Sequence, residues 1–171
     1  MAGLRSEGIF RVAPDATEND QTLDQINSGG FDADAWSGDA AIMANLIKVW
    51  FRVAPEGYKL FEVIDRNIIL TCDMFGDADV AEKAMEAMPE PHKSLMLWLL
   101  DLMCDVLDHA DVNRMSVRAL SVVVSPNLFN FEMSTDPTQA MQALTFAQKA
   151  VVMMQKMLKW RLTVVRPDAA K

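Results

Sequence analysis

The chain has 171 residues, and 51% of them are hydrophobic, which is enough for one domain with its own core but short for two. Its net charge of −8 opposes binding to nucleic acid, because a protein needs a positive surface to displace the counterions of a phosphate backbone. The sequence also lacks an apolar run approaching the roughly 20 residues of a membrane span. We therefore expect a single domain that neither binds nucleic acid nor inserts directly into a membrane.

The first half of the chain carries the apolar spacing and the end signals of helices, without the sustained alternation that is typical of strands. Residues 1–14 predict an extended entry, followed by a short helix over 17–27 that ends before Gly29. Asp39 is a typical N-cap, and the apolar stripe behind it predicts a helix that Pro55 ends. The predicted fold class is all-α.

The second half continues the helical pattern. Helices are predicted over 60–72 and 80–88. The segment 91–109 is apolar nearly all round at its centre, and we expect it to lie in the middle of the core. A helix over 116–124 precedes a proline, and a long final helix begins at Pro137.

Few residues could carry metal or nucleophilic chemistry. Cys72 and Cys104 belong to no CxxC pair, which argues against a zinc site and favours buried free thiols. Neither His92 nor His109 accompanies a serine or cysteine in a pattern typical of nucleophilic catalysis. We expect no metal site, no cofactor held by this chain and no self-contained hydrolase activity.

Three short motifs follow one another along the chain. They are Glu-Gly-Ile-Phe-Arg at 7–11, Leu-Ile-Lys-Val-Trp-Phe-Arg at 46–52, and Val-Asn-Arg-Met at 112–115 with Ser-Pro-Asn-Leu at 125–128. Each motif alone is typical of an ordinary helix face or a solvated cation. Together, in this order and rough spacing, they resemble the Rho-family GTPase-activating (RhoGAP) domain, and Trp-Phe-Arg is particularly similar to plant-type GAPs for Rop GTPases.

The resemblance implies a catalytic role for Arg11 as an arginine finger, which a GAP inserts in trans into the active site of a GTPase. Such a residue contributes roughly 10³ to 10⁵ in rate by neutralising charge that develops during GTP hydrolysis. The implied partner is a Rho-, Rac-, Cdc42- or Rop-type small GTPase, and GTP and Mg²⁺ would be held by that partner. The residues that the resemblance implies for partner contact and support are Lys48, Arg52, Asn113, Arg114 and Asn127.

The resemblance also implies a RhoGAP-like helical bundle over residues 1–162, with the opening helix of the family missing and a C-terminal tail at 163–171. We expect a cytoplasmic protein that is recruited to membranes only through its partner or flanking regions. The sequence departs from the family at Ala13-Pro14, which replaces a small-Gly pair, and at Ala119, where an asparagine is usual. Two alternatives therefore stay open, a catalytically silent GTPase-binding module and a helical scaffold without a GTPase partner. The oligomeric state is also left open.

Overall fold

A computed structural model describes residues 3–54, 58–131 and 134–167 of the chain. Within these ranges all the regular secondary structure is helical and there is no strand, so the predicted all-α class is confirmed. The α-helices, labelled α1 to α8 in chain order, are Ala16–Asn27, Ala40–Val53, Arg66–Leu70, Asp77–Ala87, His92–Leu107, Ala110–Asn113, Val117–Val124 and Pro137–Val165. Short 3₁₀ turns occur at Gly3–Arg5, Cys72–Met74 and Ser125–Asn127.

Side-chain caps fix where several helices begin. A carboxylate or hydroxyl at the N-cap accepts a hydrogen bond from a backbone N–H of the first turn, which would otherwise lack a partner. At the start of α8, Asp136 Oδ1 accepts from the N–H groups of Thr138 and Gln139 at 2.8 and 2.9 Å. The other N-caps of this kind are Asp15, Asp39, Asp65 and Ser116.

Helices α5 and α8 form the centre of the molecule. α8 is 29 residues long and packs against α3, α4, α5 and α7. Its buried face repeats at helical spacing through Ala150, Met153, Met154, Met157 and Leu158. The predicted position of α5 in the core is thereby confirmed, and α8 shares that position with it.

The predicted extended entry over 1–14 is wrong for residues 3–12. A 3₁₀ turn at Gly3–Arg5 is followed by further turns. The physical reason is that Gly8 adopts a positive φ and its N–H donates to the carbonyl of Asn113 at 2.8 Å. A contact with the distant α6 therefore decides the local conformation.

The predicted helix over 60–72 is also only partly present, because α3 begins at Arg66. Leu60 and Phe61 are buried in turns, and the N–H of Phe61 donates to the carbonyl of Leu128 at 2.9 Å. That bond joins the segment to the turn after α7 and removes it from a helical ladder.

Two predicted ends can be compared with the structure. α2 ends at Val53 with an extended Ala54, and its predicted terminator, Pro55, lies outside the described residues. α8 ends at Val165, so the final helix runs through the predicted boundary at 162.

Candidate functional site

Arg11 lies in a sequence of tight turns over residues 6–12, which we call the Arg11 loop. Gly8 and Phe10 both adopt positive φ angles, 70° and 69°. The backbone N–H of Arg11 donates to the carbonyl of Gly8 at 2.8 Å. This backbone path directs the side chains of Ile9 and Phe10 into the core, whereas Arg11 is exposed.

Glycine is favoured at position 8 by both conformation and space. A left-handed conformation costs a residue with a side chain roughly 1–2 kcal/mol. A Cβ added to Gly8 would lie 2.7 Å from Cγ2 of Val12 and 3.5 Å from Nη2 of Arg11. The guanidinium of Arg11 therefore lies over a residue without a side chain, where a Cβ would clash with Val12 and would make only ordinary contact with Arg11.

Lys48 supports the Arg11 loop from α2. Its Nζ donates a hydrogen bond to the carbonyl of Phe10 at 2.6 Å, immediately before Arg11 in the chain. Burial, and after it the positive charge of Arg52, lowers the pKa of Lys48. Lys48 is thus a half-buried cation whose ammonium group points to the backbone of the Arg11 loop.

Arg52 lies one helical turn after Lys48 and is exposed. Its backbone carbonyl accepts a hydrogen bond from Nζ of the buried Lys59 at 2.7 Å, which satisfies one free carbonyl at the end of α2. The two cations predicted on this helix thus differ in environment, since Lys48 contacts the loop and Arg52 faces solvent.

Asn113, the last residue of α6, is fully buried. Its Nδ2 donates to the carbonyls of Leu4 and Val106 at 2.8 and 2.7 Å, and its own carbonyl accepts from the N–H of Gly8 at 2.8 Å. The side chain therefore contacts the segment that leads into the Arg11 loop and does not reach the surface. Arg114, the next residue, is exposed and adopts a left-handed conformation with a φ of 60°.

Asn127 ends the 3₁₀ turn Ser125–Asn127, which follows α7 and packs against α2. Its side chain is 8% exposed. Nδ2 donates to the carbonyls of Val123 and Val124 at 3.0 and 3.1 Å. The amide thus caps the end of α7 beside the helix that carries Lys48 and Arg52.

The structure brings Arg11, Lys48 and Asn113 together through the backbone of the Arg11 loop. Sequence reasoning missed two parts of this arrangement, Gly8 and Leu4. The signal for Gly8 was the glycine itself, within Glu-Gly-Ile-Phe-Arg. Leu4 contributes only its backbone carbonyl, which leaves no signal in the sequence.

Comparison with known proteins identifies the family. The RhoGAP domain matches residues 1–132, a span that includes the Arg11 loop, α2, α6 and the turn after α7. The chain belongs to the RhoGAP domain family. The resemblance found in the sequence is confirmed by this match.

Relatives of this RhoGAP domain carry the same designation. Rho GTPase-activating protein gacA of Dictyostelium discoideum is 35% identical over 98% of this chain and 46% of its own length. Rho GTPase-activating protein 2 of Arabidopsis thaliana is 30% identical over 81% of this chain and 30% of its own length. The chain thus spans less than half the length of either relative.

Solved structures show the same helical fold as this RhoGAP domain. The BH domain from Graf, the GTPase regulator associated with focal adhesion kinase, matches with a TM-score of 0.72 and 15% identity, over 95% of this chain and 85% of that one. Human Rho GTPase activating protein 15 matches with a TM-score of 0.70 and 22% identity, over 90% and 74%. At these identities the likeness establishes the fold.

The chemistry that the RhoGAP site offers is positive charge and hydrogen-bond donors. Arg11 and Arg52 are exposed guanidinium groups, each with five N–H donors. In the described ranges no three His, Cys, Asp or Glu side chains lie close enough to hold a metal ion. No helix among the same residues is both long and apolar enough to cross a bilayer.

Proposed function

We propose that this RhoGAP domain stimulates GTP hydrolysis by a Rho-family small GTPase and that Arg11 enters the active site of the GTPase in trans. The observation that carries the proposal is the presentation of Arg11. It is the exposed residue that directly follows two buried side chains, Ile9 and Phe10, in a loop held by tertiary hydrogen bonds. A charged side chain on a fixed backbone can act on a partner with little loss of conformational entropy.

The guanidinium suits this role for electrostatic reasons. Transfer of the γ-phosphoryl group spreads negative charge over its equatorial oxygens and the leaving oxygen. A planar, delocalised cation with several donors can contact more than one of those oxygens, whereas the ammonium of lysine is a compact point charge. In a site from which water is excluded, the same charge stabilises the transition state more strongly than it would in bulk solvent.

The partner supplies the remaining machinery under this proposal. GTP, Mg²⁺ and the attacking water are held by the GTPase. This chain adds Arg11 and contacts the mobile switch segments of the GTPase through α2 and the neighbouring turn, where Arg52 is exposed and Asn127 lies close by. Lys48 does not contact the GTPase in this proposal and supports the Arg11 loop through its hydrogen bond to the carbonyl of Phe10.

Single-turnover phosphate release from a panel of GTP-loaded Rho-family proteins tests the proposal. The domain should accelerate release for at least one member, and Arg11→Ala should remove roughly 10³-fold or more of that acceleration. Arg11→Lys should restore little of it, because the charge returns without the planar fork. The matched control is Arg66→Ala, which removes an exposed arginine on α3 that lies over the ring of Phe146.

The outcomes separate the alternatives. Full acceleration by Arg11→Ala would overturn the arginine-finger mechanism. Binding of a GTPase loaded with a non-hydrolysable GTP analogue, without acceleration by the unaltered domain, would identify a silent docking module. Failure to bind any member of the panel would favour a helical scaffold.

A further inference from the structure

We infer that Asn113 is a positioning residue for Arg11, acting from inside the domain and without contact to the partner. This inference rests on the proposed function. Asn113 is fully buried at the end of α6, yet three of its five hydrogen bonds to the rest of the chain reach other elements: two fix Leu4 and Gly8, and one fixes Val106 in α5. It therefore connects the segment that carries Arg11 to the central helix of the core.

The side-chain chemistry at position 113 requires an amide. Both N–H groups of Nδ2 have acceptors, the carbonyls of Leu4 and Val106, and Oδ1 accepts from the N–H of Met115 at 2.9 Å. A carboxylate of the same size would lose both donors and would direct its charge at two carbonyl oxygens. An apolar residue would remove the side-chain partner of all three backbone groups in a buried position, and only the carbonyl of Val106 would keep a second donor, the N–H of His109 at 3.2 Å.

Residues Leu4, Gly8 and Phe10 are the points at which the segment is held. Leu4 is held by the side chain of Asn113, Gly8 by the backbone carbonyl of Asn113, and Phe10 by Lys48. Asn113 supplies two of these three bonds. Its side chain constrains Leu4, at the start of the segment that leads to Arg11, and its backbone carbonyl constrains Gly8, three residues before Arg11. The side chain is the part that substitution can remove, and the backbone bond to Gly8 can survive.

The expected effect of a substitution is confined to the transition state. Asn113 does not reach the surface, so its side chain adds nothing to the encounter with a GTPase. Misplacement of a catalytic group by about 1 Å can cost about 100-fold in rate. Loosening the approach to Arg11 should therefore lower the maximal stimulated rate and leave the concentration dependence nearly unchanged.

The test compares Asn113→Asp and Asn113→Ala with the unaltered domain in stimulated GTP hydrolysis, at temperatures where circular dichroism shows each variant folded. We expect a decrease in kcat of about 10- to 100-fold with KM changed by less than about 3-fold. Affinity should fall for the GTPase bound to GDP and aluminium fluoride, which mimics the transition state, and stay unchanged for the GTPase bound to a non-hydrolysable GTP analogue. The matched control is Met153→Ala, which truncates a fully buried residue of α8, outside the Arg11 loop, and destabilises the core.

A double variant distinguishes failure of this inference from failure of the proposed function. If Asn113 acts through Arg11, then Asn113→Asp should slow the Arg11→Ala domain no further. An increase in KM, an equal loss in Met153→Ala, or an additive loss in the double variant would overturn the positioning role while the arginine-finger mechanism stands. Loss of any difference between the unaltered domain and Arg11→Ala would instead contradict the proposed function itself.

Hydrogen exchange on the unaltered domain tests the inference even if both variants fail to fold. The N–H of Gly8 donates to the carbonyl of Asn113, so it should exchange as slowly as the buried amides in the middle of α5. Exchange at Gly8 as fast as that of solvent-exposed amides would show that the hydrogen bond from Gly8 to Asn113 is not maintained in solution. That result would overturn the inference.

Discussion

Lys48 is placed where its environment disfavours its charge. Burial is the larger cause of its lowered pKa and the charge of Arg52 the second. We therefore predict that Arg52→Ala raises the pKa of Lys48 part of the way to its ordinary value, because the burial persists. An NMR titration of the lysine side-chain nitrogen measures the shift. Arg118→Ala, which removes an exposed arginine on α7, is the matched control and should leave the pKa of Lys48 in place.

The sign of the corresponding pH dependence follows from the same shift. Between the lowered pKa of folded Lys48 and its ordinary value, the unfolded chain binds more protons than the folded chain. The contribution of Lys48 to the free energy of unfolding therefore rises as the pH increases through that alkaline window. A fall in the same window, measured as the difference between the unaltered domain and Lys48→Met, would contradict the assigned cause.

A functional residue could be predicted from the sequence only where neighbouring residues in the chain mark it. Arg11 and Lys48 could be singled out because each belongs to a motif of neighbouring residues. The burial of Asn113 could not be predicted, because one of its acceptors, the carbonyl of Leu4, lies 109 positions away in the sequence. Backbone acceptors have no residue identity, so no pattern of side chains reports them.

The C-terminal half of α8 is connected to α5 by two arginines. Arg161 binds Asp101 through Nε and Nη2 at 2.7 and 2.9 Å, and Arg166 binds Asp105 and Asp108 at 2.8 and 2.7 Å. The carboxylates are nearly half exposed, so solvent screens these pairs and limits their contribution. The connection is therefore expected to adjust the stability of the helix pair rather than to decide the fold.

We predict that Arg161→Ala lowers the free energy of unfolding by about 0.5–1 kcal/mol, which is the upper part of the range for exposed ion pairs, because this pair is bidentate. Urea unfolding at low and high salt measures it, and the loss should shrink as salt screens the pair. In a double-mutant cycle, Asp101→Asn should cost less in the Arg161→Ala background. Lys159→Ala, an exposed substitution on the same helix, should cost little; an equal cost would show that the ion pair with Asp101 is not the cause of the loss.

Elements with strong end signals were predictable, and elements fixed by distant partners were not. The predicted start of α8 at Pro137 was confirmed, and the Asp136 side chain accepts hydrogen bonds from the first turn. The segment over 60–72 has the apolar spacing of a helix, but Phe61 donates its N–H to Leu128 and the helix begins only after Asp65. Tertiary hydrogen bonding thus overrides a local pattern of the right period.

At the scale of the whole molecule, one core joins the functional loop to the long helices. Ile9 and Phe10, which precede Arg11, belong to the same continuous set of buried apolar side chains as Met103 of α5 and Met153 of α8. Because there is a single core, we expect the described helices to unfold in one cooperative step.

The two cysteines provide a measurement of that cooperativity. Cys72 and Cys104 are fully buried, and burial raises the pKa of both thiols, that of Cys104 to about 11. Neither thiol should therefore react with a disulfide reagent such as dithionitrobenzoate near pH 8 until the domain unfolds, and both should report the same free energy of opening.

Met153→Ala should accelerate both reactions by the same factor, since the loss of a fully buried methionine costs about 2–5 kcal/mol of stability. The control is a set of single-cysteine variants, Cys72→Ala and Cys104→Ala, in which each thiol is followed alone. Rapid reaction of one thiol while circular dichroism still reports the folded helices would show that its helix opens separately, and the single cooperative core would then be contradicted.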